Sequence, residues 1–226
     1  MSEYDEYVRL EWDLYQRDPA RAKASLDAVE GFEVARVLDV GCGAGQELRP
    51  FVIEKGAFGV GLDVAPEVGH AAYELFAEHA QGARVVFVRG YAEALPFCSD
   101  EFDVVVCRIA LPYTDNGLAL KEMARVLRPG GKLLIKIHHA RYYMEKMGRG
   151  LVARDWLSTI HASRVLVAGT IYHIAGKQPR NRVTGSEIFQ TVRRVRRELE
   201  PFGLRIGRAM PDSNPATPSL LFTKQS

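Results

Sequence analysis

Between residues 37 and 48 the chain reads VLDVGCGAGQEL. An apolar run climbs to Asp39 and then breaks into Gly41, Gly43 and Gly45 before a polar, helix-forming segment. Glycine loses more backbone entropy on folding than any other residue, so three of them at a strand-to-helix junction need a cause. In an open α/β sheet the first such junction lies at the carboxyl ends of the strands, where ligands bind. Bare backbone there lets the chain turn tightly and lets a ligand lie against it.

The rest of the chain fits that plan. Short continuous apolar runs at 35–40, 58–64, 83–90, 101–110 and 132–137 read as strands covered on both faces. Helical segments alternate with them: QELRPFVIEKG, with Pro50 tolerable only in a first turn, then 66–80 opened by Pro66, then 116–131 closed by Pro129-Gly130-Gly131. A further helix carries Ile188, Val192, Val195 and Leu199 on one side and begins at a capping-box spacing from Thr184 to Glu187. GLRIGRAMP and PSLLFTKQ, split by a turn-rich stretch, read as a closing antiparallel hairpin. The expected fold is α/β: a Rossmann-like, open, seven-stranded, mostly parallel sheet with an antiparallel last strand and helices on both faces.

Two segments fall outside this rhythm. Residues 1–33 are charged and aromatic, with Val8, Trp12 and Tyr15 at helical spacing. Residues 138–183 hold four of the six histidines and no clean period, and a stretch that long is expected to contain helix. The 226 residues thus read as one domain: a helical cap (1–33), a cofactor-binding core (34–137), a substrate-side insertion (138–183) and a closing helix with two strands (184–226). A lid formed by 1–33 and 138–183 is expected over the crevice.

Formal net charge is +2, too near balance to argue for nucleic acid by field alone. Cys42, Cys98 and Cys107 form neither a disulfide framework nor a zinc pattern, which suits a reducing compartment. No leader-like opening and no apolar run of membrane length is evident, so a cytoplasmic protein is expected. The histidines lack ligand spacing, and no metal is expected.

Two cofactor classes use a glycine loop followed by a carboxylate that ends the second strand and holds a ribose diol. Asp63, in GLDV, stands 18 residues after Gly45. Dinucleotide sites want G-x-G-x-x-G facing a pyrophosphate, whereas here the spacing is G-x-G-x-G and Gln46 takes the third position. A cofactor lacking a pyrophosphate, with an amino-acid tail over the loop, fits better.

The stretches VLDVGCGAGQ, GVGLDVAPEV, GYAEALPFCSDEFDVVVC and EMARVLRPGGKLLI resemble the class I S-adenosylmethionine-dependent methyltransferases, in particular the family that includes the ubiquinone and menaquinone biosynthesis C-methyltransferases. The resemblance covers residues 34–137. It implies S-adenosylmethionine as methyl donor, with S-adenosylhomocysteine as product. Gly41, Gly43 and Gly45 would line the methionine part, and Asp39 would orient that loop or reach the amino group through water. Asp63 would hold the ribose, with Val64 against the adenine and Ala92 and Glu93 at the ring's edge. Cys107 and Arg108 would lie under the methionine. The family usually has an acidic residue where this chain has Tyr91, which puts adenine recognition in question.

His138 and His139 follow the fifth strand directly and are the candidates for a general base. Trp12, Tyr15 and Tyr113 are candidates for an aromatic acceptor pocket able to stabilise a cation. In ALPY (110–113), Ala110 and Leu111 stand where amide- and amine-methylating relatives place a polar residue and a first proline, so the match to that motif fails at the position that does its chemistry. The leading expectation is methyl transfer to an O, N or C nucleophile of a small molecule. An RNA methyltransferase using the arginine-rich helix 193–197, and a cofactor-binding protein without transfer chemistry, are the alternatives. Acceptor and oligomeric state stay open.

Overall fold

The computed structural model describes residues 2–79, 84–179 and 186–225. Seven strands form one sheet: β1 (Arg36–Val40), β2 (Phe58–Asp63), β3 (Arg84–Arg89), β4 (Phe102–Arg108), β5 (Leu127–Lys136), β6 (Leu204–Ala209) and β7 (Ser219–Lys224). Their order is 3-2-1-4-5-7-6. β1 pairs in parallel with both β2 and β4, and β7 runs antiparallel to both neighbours, so the expected sheet is found, with one antiparallel strand, the last. The strand order reverses beside β1, which opens a crevice at the carboxyl ends of β1 and β4, where such sheets bind ligands.

Alternation along each strand sends side chains to two cores. Leu38, Val105 and Cys107 face α5 (Asn116–Val126) and α8 (Val192–Leu199), burying Leu120, Met123, Val195 and Leu199. Val37, Val104 and Val106 face the other side, where α1 (Glu3–Gln16), α2 (Pro19–Ala28), α3 (Arg49–Glu54) and α4 (His70–His79) bury Trp12, Ala24, Phe51 and Phe76. The segment after β5 folds as α6 (Ala140–Ala153) and α7 (Trp156–Ala175), which supplies the helix expected there.

Several boundaries differ from the sequence reading, each for a local reason. Pro50 does sit in the first turn of α3. Pro66, however, lies in a turn, with the Val68 N–H donating to the Ala65 carbonyl, and α4 starts only at His70. Pro129-Gly130-Gly131 does not close α5. That helix ends at Val126 because Asp100 and Glu101 donate their N–H groups to the carbonyls of Arg125 and Val126. The Pro-Gly-Gly run then forms an irregularity inside β5, where the register against β4 shifts.

The capping box is displaced too. Thr184 lies outside the described residues, and Glu187 is engaged elsewhere. The cap of α8 is Thr191, whose hydroxyl accepts from the Arg194 N–H at 3.2 Å. Residues 187–190 instead form an extended strap: the Ile188 N–H donates to the Pro112 carbonyl at 3.1 Å and the Gln190 N–H to the His138 carbonyl at 2.9 Å. In α8, Arg194 pairs with Glu198 at 2.6 Å and lies over the Tyr172 ring, so one of the four arginines of that helix is a packing residue.

Candidate active site

A cavity of about 500 Å³ opens at the carboxyl ends of β1, β2 and β4. Its floor is Val40, Gly41 and Leu62, one wall is Asp63, Val64 and Tyr91–Glu93, and the other is Arg108–Ala110 with Tyr113 and Thr114. Tyr7 of α1 closes over it. That size suits a small-molecule cofactor.

The glycine loop is shaped by close approaches. Gly41, Gly43 and Gly45 all have positive φ, at 74°, 50° and 72°. A Cβ on Gly41 would stand 2.2 Å from the Cβ of Ala110, and one on Gly45 would stand 2.7 Å from the Phe87 ring. Of the three, Gly41 borders the cavity, while Gly45 lets the loop pack on Phe87 and Phe76. Asp63 braces the loop from β2: one carboxylate oxygen accepts from the Gly43 N–H and the other from the Ala65 N–H, both at 3.0 Å. Each oxygen keeps a further lone pair for a ligand hydroxyl.

Beneath the loop, Asp39 is buried, and its Oδ2 has no hydrogen-bond partner among the described residues. Burial, and next the nearby Glu47 carboxylate, raise its pKa well above the ordinary aspartate range. A carboxyl raised in this way costs stability progressively as pH climbs above its unfolded value of about 3.9. Asp39→Asn removes that cost. Its thermal midpoint at neutral pH is therefore expected to rise by about 2–4 °C, and the fall of stability with pH to flatten, as read by calorimetric melts across the pH range.

Behind the cavity runs a line of ion pairs. Arg108, buried at the end of β4, lies between Glu47, 3.0 Å from its Nε, and Asp212. Glu47 also accepts from the Arg21 Nε–H at 2.6 Å, and Lys136 reaches Asp212 at 3.1 Å. Three cations face two carboxylates, so the group is net positive. Next to it, Ile109 adopts a left-handed φ of 72°, rare for a β-branched residue, with its N–H held by the Lys136 carbonyl at 3.0 Å. Such strain is characteristic of functional sites.

Of the remaining cofactor candidates, Val64, Ala92, Glu93 and Arg108 border the cavity, and Cys107 is buried behind it. The Glu93 carboxylate accepts from the Asp115 N–H at 2.7 Å. Tyr91 lines the wall and is exposed. Tyr113 borders the cavity, and burial, then Glu187, push its phenol up to about 12, so it stays a protonated donor.

The other substrate-side candidates need correction. Trp12 and Tyr15 are buried away from the cavity. Trp12 packs edge-on against Phe76, and Tyr15 lies under the Arg21 guanidinium. Their spacing with Val8 is the core stripe of α1, and Tyr7, one position off it, is the residue that faces the cavity. Neither histidine borders the cavity. His138 is buried, stacked on Tyr142 and 3.2 Å from the Tyr143 hydroxyl, and burial lowers its pKa to about 4. His139 caps α6. Tyr7, Ile109 and Thr114 were not foreseen. A positive φ on isoleucine leaves no mark in a sequence.

The model of a methyltransferase domain matches residues 38–135, the part that carries the cavity floor and both walls up to β5. Residues 38–135 thus carry a methyltransferase domain of the class I S-adenosylmethionine-dependent type. It is 38% identical over 104 residues to the ubiquinone/menaquinone biosynthesis C-methyltransferase UbiE of Hahella chejuensis, covering 45% of this chain and 42% of that one. It is 31% identical over 181 residues to an uncharacterized methyltransferase of Mycobacterium bovis, covering 80% and 64%. The chain spans about two fifths of the length of several curated relatives it matches, the Hahella enzyme among them. Magnesium protoporphyrin IX methyltransferase from Synechocystis, solved with S-adenosylhomocysteine bound, shares the fold at a TM-score of 0.62 and 17% identity, covering 97% of this chain and 88% of that one. Among the described residues no group of side chains is arranged to hold a metal, and no helix is long and apolar enough to cross a membrane.

Proposed function

We propose that this chain binds S-adenosylmethionine in the cavity and transfers its methyl group to an O, N or C nucleophile of a small molecule. The observation that carries the reading is a bare backbone floor at Gly41 meeting the Asp63 carboxylate across one cavity, with the unpartnered Asp39 oxygen directly below. A nucleoside with an amino-acid tail matches that set. Asp63 would accept from the ribose hydroxyls, Val64 and the Ala92 backbone would edge the adenine, and Gly41 would lie under the methionine part. Asp39 would take the amino group through water, and the net-positive group at Arg108 would attract the carboxylate.

When bound, that cofactor supplies an electrophilic methyl on a sulfonium. The chain's own part is to align an acceptor with it and exclude water, which can supply most of the acceleration. Tyr7 and Tyr113 frame the open side. Burial raises the pKa of both phenols, so each offers a neutral hydroxyl and a ring face to the acceptor side. With His138 and His139 facing elsewhere, the reading assigns the rate to orientation rather than to an imidazole base.

Titration calorimetry with S-adenosylhomocysteine tests the cofactor half. Asp63→Ala is expected to weaken binding by about 1–3 kcal/mol, since the ribose hydroxyls and the Gly43 N–H lose their acceptor. Unchanged affinity would put the nucleoside outside this cavity. A mass-spectrometric screen of metabolite extracts for products one methylene heavier tests the transfer half.

A further inference from the structure

Helix α7 is apolar on both sides. Ala162, Val165, Ala168, Gly169 and Tyr172 are buried against the body of the protein. On the opposite face Trp156, Ile160, Val167, Ile171 and Ile174 fall within an arc of about 60° at helical periodicity, with Leu157 at its edge. All are exposed, Leu157 and Ile174 to 83%. The stripe runs about 27 Å along the helix. Near the end of α6, Leu151 and Val152 are exposed as well, the latter to 89%. A contiguous apolar surface of that length marks an interaction site.

Charge indicates what covers it. Residues 140–177 carry Arg141, Lys146, Arg149, Arg154, Arg164 and Lys177 against only Glu145 and Asp155, a net +4 in a chain whose whole charge is +2. Arg164 lies within the stripe, Arg154 precedes its Trp156 end by two residues, and Lys177 follows Ile174 at the other. A second copy of the chain would set +4 against +4. An anionic lipid surface complements both features: the apolar side chains enter the boundary between headgroups and acyl chains, the cations stay among the headgroups, and Trp156 suits that depth.

We propose that the α6–α7 hairpin lies on anionic membrane surfaces, with the exposed stripe of α7 in the bilayer interface. The helix lies in the interface plane and does not span it. The proposal is independent of the methyl-transfer reading.

Sedimentation of the full chain with vesicles tests it. Binding is expected to vesicles of mixed phosphatidylcholine and phosphatidylglycerol, to fall with added salt, and to be absent with phosphatidylcholine alone. Leu157→Asp/Ile174→Asp, at two exposed positions, is expected to abolish binding with an unchanged melting curve. Arg154→Glu/Lys177→Glu is expected to weaken it at least about twentyfold, because each basic residue near the surface contributes about fivefold. No binding to the mixed vesicles at low salt, or equal binding to both compositions, overturns the proposal. So does a dimer in solution that Ile174→Asp dissociates without any vesicle binding, since a second copy would then cover the stripe.

Discussion

Arg108→Met is expected to destabilise the protein by about 3 kcal/mol at neutral pH. The guanidinium is buried between Glu47 and Asp212, and methionine fills the space without the charge. Glu47 keeps Arg21 and Asp212 keeps Lys136, which holds the loss at the lower end of the range for a broken buried ion pair. Burial works against the Asp212 carboxylate, but Arg108, with help from Lys136, holds its pKa below the ordinary range. A depressed carboxylate contributes stability that is present above its unfolded pKa and is lost as pH falls through its folded one. The gap between wild type and variant should therefore be full at neutral pH and narrow as pH drops below about 3.9. Urea unfolding at several pH values reads this directly. A gap that is small at pH 7, or constant down to acid, would mean that the ion pairs behind the cavity are solvated and hold little.

The Arg108 network also marks the limit of sequence reading in this protein. The sheet was legible because its strands are short apolar runs and its helices carry a 3.6-residue period, both local signals. Gly41, Asp63 and Ala92 were legible because loop chemistry at the strand ends is local as well. Glu47, Arg108 and Asp212 are separated by dozens of residues, and only the folded sheet brings them together. The same holds for Tyr7, which a helix from the other end of the cap carries to the cavity. Trp12, Tyr15, His138 and His139 show the converse. Their residue types suit chemistry, but their helical phase or place at a helix start commits them to packing and capping. Boundaries moved where tertiary partners outbid local rules, as when Asp100 and Glu101 end α5 before its Pro-Gly-Gly run.

Gly41→Ala should have the sharpest effect on the site. At φ 74° an alanine costs about 1–2 kcal/mol through its backbone alone. Its Cβ would also stand 2.2 Å from the Cβ of Ala110, an atom fixed directly to backbone, next to Ile109, whose own left-handed conformation is tied to the Lys136 carbonyl. No flexible side-chain end is available to yield, so the overpacking adds about 1–3 kcal/mol. The total expected loss is about 3–4 kcal/mol, and either the glycine loop or the Ile109–Ala110 turn must move out of the cavity geometry. Gly43→Ala is the internal control. Its φ is also positive, but its Cβ would meet only the Tyr7 ring, at 3.9 Å, leaving the backbone cost alone. Ala110→Gly combined with Gly41→Ala removes the collision and keeps the strain. Thermal unfolding of the four chains of that cycle should give a coupling of about 2 kcal/mol, favourable in the double variant. Affinity for S-adenosylhomocysteine should follow the same order, lowest in Gly41→Ala and partly restored by Ala110→Gly. Equal stabilities for Gly41→Ala and Gly43→Ala would mean that the loop and the β4 turn do not touch, and the cavity floor described for Gly41 would then be wrong.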